Sequence, residues 1–460
     1  MEDFELNKFI DEIDALLETH SYYAIRDLLK DLEPADLSII LEEFPKKIAT
    51  LFRLLPKDLA ADTFVEIQSE TQEKLLSSLT DKEMKEVMDE LYIDDTVDLI
   101  EEMPANVVKR ILNNTDPETR KIVNEILHYP EDSAGSLMTT EYVSLDEDIT
   151  VEDALKRIRR TGVDKETIYT CYVTKPDRTL LGYVTAKKLL LSDEDMIIAD
   201  IMDTAIIYVN TWEDKEVVAK EMSKYDLLAL PVVDKEQRLV GIITVDDAID
   251  VIEEEATEDI EKMAAIIPSD KPYLVTSPFE IWKNRIPWLL LLMLSSTFTS
   301  QILTGFESKL ASCVILTAFI PMIMGSGGNA GGQTSVTIIR GLAIEEIQMR
   351  DIFKIIFKEL RVSLLCGVAL GIATFAKMMI IDNLLLGNSE VTYMIAMVVS
   401  FTLLVTIIVA KLVGCLLPIL AKRLGLDPAV MASPFITTIV DALSLLIYLG
   451  IATTVLPQLN

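Results

Sequence analysis

The pattern of hydrophobic and polar positions divides the chain into two parts of opposite character. Up to about residue 280 many charged residues separate short apolar stretches, whereas the remainder holds long apolar runs. Each of these runs approaches the roughly 20 residues that a membrane-spanning helix needs. The five predicted membrane helices are 286–305, 310–339, 362–381, 393–420 and 429–456. We therefore expect a multidomain membrane protein with a soluble amino-terminal part and a five-helix α-helical transmembrane domain at 286–460.

The segment 1–130 has the periodicity of short amphipathic helices separated by prolines. Leu32-Glu33-Pro34-Ala35-Asp36-Leu37 recurs as Leu54-Leu55-Pro56-Lys57-Asp58-Leu59, and 103–107 is a weaker third copy. Proline is favoured at the first position of a helix, so each copy marks a helix start. The repetition predicts an all-α superhelical domain built from stacked helical pairs.

The segment 131–250 alternates strands with helices and repeats itself. Leu181-Gly182-Tyr183-Val184-Thr185 is answered by Val240-Gly241-Ile242-Ile243-Thr244, and 137–143 by 200–206. These pairs resemble a tandem pair of CBS motifs, a family of α/β regulatory modules whose clefts can hold an adenine nucleotide. Thr244-Val245-Asp246 is similar to the ribose-contacting pattern of that family, whereas 185–187 lacks the carboxylate. A site for ATP and a purely structural role both stay open.

An acidic helix at 246–268 is predicted to connect this module to the membrane part. Ile249, Ile252, Ala256 and Ile260 keep an apolar stripe at helical spacing along it. Prolines 268, 272 and 278 then mark a linker at 269–285. The connecting helix therefore lies between a sensor-like module and the membrane domain.

Charge restricts the partners and the topology of the chain. The formal net charge is −32, and the acidic excess lies before residue 280. Such a soluble part repels phosphates, which argues against nucleic acid as a partner. Basic residues flank the first, second and fourth predicted spans, while the segment 382–390 has none. We therefore expect the protein in the cell (inner) membrane. By the positive-inside rule its amino terminus is cytoplasmic and its carboxyl terminus is on the outer side.

A glycine-rich segment, 321–333, lies within the second predicted span and is expected to interrupt its helix. It reads Pro-Met-Ile-Met-Gly-Ser-Gly-Gly-Asn-Ala-Gly-Gly-Gln, and each glycine costs a helix about 1 kcal/mol relative to alanine. Asn329 and Gln333, spaced i,i+4, share one helical face and could present polar groups to an ion path. A pore-lining element and a small-residue packing face between helices are the two interpretations.

Asp441 is a carboxylate well inside the last apolar run. A charge at that depth is costly unless it faces water, a partner or an ion, so an ion path is the first interpretation and a pair with Lys411 the alternative. Thr437, Thr438 and Asn329 would add oxygen donors. An all-oxygen set favours a hard ion, and Mg2+ fits because it keeps several waters. One carboxylate per chain suggests a homodimer with the pore near its two-fold axis.

Carboxylates also gather on and near the connecting helix. Several lie at i,i+3 or i,i+4, where like charges repel, so bound cations would favour a compact arrangement. A solvated acidic face is the alternative for each residue taken singly. The residues concerned are Asp214, Glu216, Asp226, Asp247, Asp250, Glu255, Glu258 and Asp259.

The chain as a whole resembles the MgtE family of magnesium transporters and channels. The resemblance rests on the helical domain, the CBS pair, the acidic helix and the five-span membrane part. Its most specific pieces are the glycine-rich segment and Thr437-Thr438-Ile439-Val440-Asp441. The resemblance implies a homodimeric, magnesium-selective channel that mediates Mg2+ uptake and is gated by intracellular Mg2+. It implies Asp441 as the pore carboxylate, with Thr437, Asn329, Gly325 and Gly328 nearby. The resemblance also implies that Asp427, Asp94 and Asp98 are among the carboxylates that bind regulatory ions. It implies that the connecting helix acts as a plug that closes the pore.

Two functions of other classes fit the sequence less well. A membrane-tethered receptor that reads a nucleotide would need the spans only as an anchor, for which a buried carboxylate and a glycine-rich segment have no use. An enzyme would need a nucleophile and a base, and His20 and His128 offer no such constellation. The sequence leaves gated diffusion and coupled transport open.

Overall fold

The computed structural model of the chain describes residues 3–269, 271–274, 276–344, 346–431 and 433–456. Two compact units are formed, Met1–Glu253 and Glu254–Asn460. The first unit combines helices with two small sheets, and the second is helical.

Within the described residues, the first unit opens with ten short helices that pack on a continuous apolar core. Pro34 is the first residue of its helix, and Pro56 and Pro104 immediately precede theirs, as the repeated motif predicts. Leu29, Leu41 and Phe64 are fully buried in the core between successive helices. The ten helices are α1 (Asp3–Glu18), α2 (Tyr22–Leu29), α3 (Pro34–Glu42), α4 (Ile48–Phe52), α5 (Lys57–Val65), α6 (Ser69–Ser78), α7 (Asp81–Met88), α8 (Ile93–Glu102), α9 (Ala105–Asn114) and α10 (Pro117–Ile126).

Two three-stranded sheets of the same topology follow, which confirms the tandem α/β repeat. In each sheet the first strand is parallel to the second, and the second is antiparallel to the third. Cys171 opposes Val184 in the first sheet and Leu230 opposes Ile243 in the second. The elements are β1 (Ser144–Asp146), α11 (Val151–Thr161), β2 (Thr170–Thr174), β3 (Leu180–Thr185), α12 (Ala186–Leu191), α13 (Ile198–Ile201), β4 (Val209–Asn210), α14 (Lys215–Tyr225), β5 (Ala229–Val233) and β6 (Leu239–Thr244).

The two repeats exchange hydrogen bonds through their leading segments. Thr139 and Ile242 exchange two backbone bonds of 2.9 Å, and Tyr183 and Asp203 make the equivalent pair at 3.0 and 2.8 Å. A Cβ on Gly182 would lie 2.4 Å from the Asp203 carbonyl oxygen, and one on Gly241 would lie 2.8 Å from that of Thr139. The repeated Leu-Gly and Val-Gly dipeptides therefore mark where the backbone of the other repeat passes too closely for any side chain.

The acidic connecting helix, α15, spans Val245–Met263 and so ends earlier than the predicted 268. Ala265 adopts a left-handed φ of 56°, and the Ile266 amide donates back to the Glu261 carbonyl. This is the hydrogen-bond pattern of a Schellman cap, which closes the helix before Pro268. The apolar stripe predicted along α15 continues only as far as this cap.

The second unit contains five helical segments long and apolar enough to cross a membrane among the residues that the structure describes, as the sequence predicts. The third begins about ten residues before its predicted start, which places Glu359 inside a helix. The elements are α16 (Pro278–Gly305), α17 (Glu307–Ser312), a 3-10 turn (Val314–Phe319), α18 (Ile320–Ala343), α19 (Ile352–Lys377) extended by a π-helix (Met378–Leu385), α20 (Tyr393–Arg423), a 3-10 turn (Pro428–Met431) and α21 (Ser433–Val455).

The glycine-rich segment does not interrupt its helix, contrary to the expectation from sequence. Helix α18 runs through it without a break. Neighbouring helices fill the space beside the glycines, because a Cβ on Gly327 would lie 2.8 Å from the Ser444 hydroxyl oxygen and 2.9 Å from a Thr406 methyl carbon. Close packing in place of lipid contact offsets the low helix propensity of glycine here.

Candidate ion path and carboxylate clusters

The two faces of α18 have different surroundings along the glycine-rich segment. Gly327, Gly328 and Gly331 are buried against neighbouring helices. Gly325, Asn329 and Gln333, spaced four residues apart, lie on the exposed face. A Cβ on Gly325 would meet no atom within 4 Å. One face of the helix therefore packs, while the other presents two amide side chains outside the unit.

Asp441 lies on α21, one helical turn after Thr437 on the same face. The Thr437 methyl carbon would lie 2.9 Å from a Cβ on Gly328, so this part of α21 packs directly on the glycine-rich segment. Asp441 is half-buried and forms no hydrogen bond or ion pair with another described residue. A carboxylate so placed retains both oxygens for a ligand.

Two lysines that also lie within apolar runs have partners in the structure. Lys377 donates to Asp382 Oδ2 at 2.8 Å. Lys411 is buried and donates to Thr334 Oγ1 at 3.1 Å, with Glu359 Oε2 3.9 Å from its ammonium nitrogen. The alternative in which Lys411 neutralises Asp441 is therefore not the observed arrangement. Glu359, which precedes the predicted start of the third span, supplies the counter-charge.

A second group of carboxylates lies in the first unit, where α8 meets the first α/β repeat. Asp94, Glu141 and Glu166 each bring one carboxylate oxygen to within 4.8 Å of the others. Asp94 is only 7% exposed, and its Oδ1 has no hydrogen-bond partner among the described residues. Glu166 Oε2 is likewise buried and unpartnered. Three acids that converge in this way form an all-oxygen donor set suited to a hard cation.

Glu141 also fixes the position of α8. Its Oε2 accepts hydrogen bonds from the backbone amide of Ile93 at 3.1 Å and from the hydroxyl of Thr139 at 3.3 Å. Ile93 is the first residue of α8, whose amides would otherwise lack acceptors. The capping contact places Asp94, the next residue, beside the α/β repeat.

Burial and mutual repulsion make these acids hard to ionise together. Burial, followed by the charge of Asp247, raises the pKa of Asp94 well above its ordinary value and that of Asp95 to about 7. Burial and Asp95 raise the pKa of Glu166 to about 8. Burial also raises the pKa of Asp247 to about 6, although the hydrogen bond that Asp247 accepts from Thr244 lowers the pKa. At neutral pH and without a bound cation, several of these acids therefore keep their protons, and ionisation of the whole group requires a counter-ion.

Of the candidates from the sequence, Asp94 and Asp247 interact electrostatically, since burial and the charge of Asp247 raise the pKa of Asp94. Asp98 lies at the solvent side of the group. Sequence reasoning missed Asp95, Glu141 and Glu166. Only the folding of distant segments brings the two glutamates to α8, so no local pattern indicates them.

Three further candidates lie at the ends of α14. Asp214 caps its amino terminus by accepting a hydrogen bond from the Glu216 amide at 2.9 Å. Glu216 itself pairs with Lys220. Asp226 ends the helix in a left-handed conformation and is exposed. Asp250, Glu255 and Asp259 follow on α15.

In the second unit, Lys262 bridges two of the carboxylates predicted to bind ions. Its ammonium nitrogen lies 2.7 Å from Glu258 Oε2 and 2.9 Å from Asp427 Oδ2. The other Asp427 oxygen accepts from the Ala429 amide at 2.8 Å. Partial burial lowers the pKa of Lys262, but the hydrogen bonds to Glu258 and Asp427 outweigh it and raise the pKa above its ordinary value. The Lys262 ammonium group thus links the end of α15 to the segment that follows α20.

Three family models match consecutive parts of the chain. They describe an MgtE intracellular N domain at residues 32–132, a CBS domain at 134–194 and 198–254, and an MgtE divalent cation transporter at 320–451. The magnesium transporter MgtE of Thermus thermophilus is 39% identical over 94% of this chain and 95% of its own length. The chain belongs to the MgtE family of magnesium transporters. The MgtE protein of Bacillus subtilis is 34% identical over 94% of both chains.

Two solved structures of the soluble parts of magnesium transport proteins are similar to about half of this chain. A cytosolic domain of the Mg2+ channel MgtE in complex with ATP is 37% identical, covers 53% of this chain and 99% of its own, and gives a TM-score of 0.51. The soluble part of a magnesium transporter gives 0.52 at 30% identity, covering 55% and 99%. The family models and the relatives confirm the family resemblance drawn from the sequence. Members of this family are transporters and not enzymes.

Proposed function

We propose that this MgtE family member is a magnesium-selective channel that mediates Mg2+ uptake and is gated by intracellular Mg2+. The observation that carries the proposal is Asp441, a carboxylate at membrane depth with no described partner. It lies on the helix that packs against the glycine-rich segment. An unneutralised charge in this position is stabilised by a hydrated cation, which makes it the selective element of an ion path.

The permeating ion is held as a hydrated Mg2+. Mg2+ loses its waters reluctantly and is commonly bound through one or two carboxylates with several waters retained. Asp441 supplies the charge, while Thr437, Asn329 and the backbone at Gly325 and Gly328 supply neutral oxygens close to the water shell. Each chain supplies a single carboxylate, and a second copy of the chain supplies another. The channel is therefore a homodimer with a shared pore.

The exposed face of α18 supports this dimer. Gly325, Asn329 and Gln333 would place two amides against lipid in a lone chain, which is unfavourable. A second copy, or the water-filled path between two copies, removes that cost. The amino-terminal unit is then cytoplasmic and the carboxyl terminus outside, as the basic residues indicate.

The gate depends on the acidic groups of the soluble part. Cytoplasmic Mg2+ binding among Asp94, Asp98 and Asp247, with Glu141 and Glu166, would replace repulsion by attraction and hold α8 against the α/β repeat. Loss of Mg2+ would restore repulsion and loosen the unit. The remaining regulatory carboxylates are Asp214, Glu216, Asp226, Asp250, Glu255, Glu258, Asp259 and Asp427.

α15 transmits this state to the membrane helices and acts as a plug when Mg2+ is abundant. ATP is a second ligand of the soluble part. The ATP complex of a related cytosolic domain and the Thr244-Val245-Asp246 pattern at the start of α15 support an adenine-nucleotide site in the CBS pair. Asp246 is exposed, and Thr244 donates its hydroxyl proton to Asp247 at 2.7 Å. Nucleotide bound there would contact the helix that links the two units.

The test is flux of Mg2+ into proteoliposomes that contain a fluorescent magnesium indicator. The wild-type chain is expected to admit Mg2+, and Asp441→Ala is expected to abolish entry while the protein still elutes as a dimer. Asp382→Asn is the matched control, because it removes a carboxylate that Lys377 already neutralises. Unchanged entry through Asp441→Ala would refute the pore assignment, and absent entry in the wild type would favour a membrane-tethered receptor.

A further inference from the structure

A buried polar chain joins three membrane helices at one level of the second unit. Lys411 of α20 donates to the Thr334 hydroxyl of α18 at 3.1 Å, and that hydroxyl donates to Glu359 Oε2 of α19 at 3.2 Å. Lys411 is 6% exposed and Thr334 is 2% exposed. The hydroxyl accepts from the cation and donates to the anion, so its single proton has a defined direction.

The polar chain lies one turn from a close approach of the α18 and α20 backbones. A Cβ on Gly414 would lie 2.2 Å from the Gly331 carbonyl oxygen, and one on Gly331 would lie 3.1 Å from that of Ala410. Thr334 and Lys411 each lie three residues from these glycines, on the same helical faces. Contact at the glycines fixes the separation of α18 and α20, but glycine has no side chain to fix their rotation.

Helix α19 is held against α20 in the same manner. A Cβ on Gly367 would lie 3.1 Å from the Leu404 carbonyl oxygen, and one on Gly371 would lie 3.3 Å from that of Ser400. Glu359 is two turns before Gly367, and Lys411 is two turns after Leu404, as antiparallel packing requires. The ion pair therefore lies at the end of a row of close backbone contacts and sets the register along it.

We propose that Lys411, acting through Thr334 and Glu359, is a positioning residue for ion passage, because it fixes the rotation of α18. Gln333 precedes Thr334, and Asn329 lies one turn before Gln333 on the exposed face. Rotation of α18 at Thr334 thus determines where both amides point. The ammonium and the carboxylate also cancel, so the network adds no net charge beside the helix that carries the exposed amides.

This inference rests on the proposed function for its transport readout. Lys411→Met and Glu359→Gln, each reconstituted as the full chain, are expected to lower the maximal rate of Mg2+ entry per folded protein at least about tenfold, because each leaves one buried charge uncompensated. The half-saturating Mg2+ concentration is expected to change less than about twofold, since Asp441 is untouched. The double variant is neutral again and is expected to recover most of the rate.

Thr334 gives a milder pair of variants for the case in which the charge variants do not fold. Thr334→Ser keeps the hydroxyl and is expected to retain uptake, whereas Thr334→Val keeps the shape and is expected to slow it. Wild-type rates in Lys411→Met, a double variant no faster than the slower single one, or equal rates in the two Thr334 variants would overturn the proposal.

A separate measurement distinguishes failure of this proposal from failure of the proposed function. If the wild-type chain itself admits no Mg2+, the proposed function fails, and unfolding temperatures in detergent then decide the role of Lys411. If the polar chain exists, the double variant Lys411→Met/Glu359→Gln loses less stability than the sum of the losses in the two single variants. Strictly additive losses would overturn it.

Discussion

The carbonyl oxygen of Gly331 occupies the space that a side chain on Gly414 would need, since a Cβ there would lie 2.2 Å away. The two residues mark the crossing of α18 and α20, where backbone touches backbone. Close approach of this kind is how small residues stabilise helix pairs in a membrane, where lipid gives no hydrophobic driving force.

Gly414→Ala is therefore expected to separate α18 from α20 and to lower both stability and transport. Overpacking in a close-packed interior costs about 1–3 kcal/mol, and more when the obstacle is backbone. Unfolding temperature in detergent and Mg2+ flux measure the effect. Gly450→Ala is the matched control, because a Cβ there meets nothing within 4 Å. Equal behaviour of the two variants would contradict the crossing contact.

The soluble part is expected to become less stable as pH rises when no divalent ion is present. Burial and nearby charges raise the pKa of Asp95 to about 7 and of Glu166 to about 8. Between the ordinary carboxyl pKa, about 4, and these values the folded state holds more protons than the unfolded chain, so stability falls with pH. This is the reverse of the behaviour of a salt-bridged carboxylate.

Unfolding temperatures of residues 1–267, measured with chelator from pH 5 to pH 8, check this prediction. Added Mg2+ is expected to raise the unfolding temperature more at pH 8 than at pH 5, because its ligands must be deprotonated. The triple variant Asp94→Asn/Glu141→Gln/Glu166→Gln is expected to lose most of that difference. A Mg2+ effect that is independent of pH in the wild-type domain would argue against these acids as ligands.

Glu166→Gln is expected to weaken closure of the channel by cytoplasmic Mg2+, although no local sequence pattern indicates this residue. Its Oε2 is buried without a hydrogen-bond partner in the part of the chain that the structure describes, and it lies with Asp94 and Glu141 in one set of oxygen donors. Electrical recording at graded Mg2+ on the cytoplasmic side measures the half-closing concentration, which is expected to rise. Glu147→Gln, on a loop of the same repeat, is the control, and an equal response of both variants would remove Glu166 from the sensor.

Lys262→Met is expected to make closure more sensitive to Mg2+. The substitution removes the ammonium that bridges Glu258 and Asp427 and leaves two facing carboxylates for a divalent ion. A partly exposed ion pair contributes up to about 1 kcal/mol, so the half-closing concentration should fall by up to about fivefold. Lys271→Met, which breaks the pair with Glu280 elsewhere in the unit, serves as control. A shift toward higher Mg2+ would show that Lys262 promotes closure.

Local patterns in the sequence predicted most of the elements, and they indicated candidate residues that stay predictions. Proline motifs marked helix starts, the paired Leu-Gly and Val-Gly dipeptides marked a tandem repeat, and long apolar runs marked five spans. These signals are local, because helix caps, alternation and span length depend on neighbours in the chain. Asp441 stood out for the same reason, as a lone carboxylate within an apolar run.

Tertiary structure alone decided how the charges are paired and which glycines pack. Lys411 meets Glu359 and Thr334, Lys262 lies between Glu258 and Asp427, and Glu141 and Glu166 join Asp94. The continuity of α18 through its glycines was likewise decided by the helices around it. Each of these outcomes depends on distances between segments far apart in the chain, and electrostatic energy depends on distance and burial, which no local pattern records.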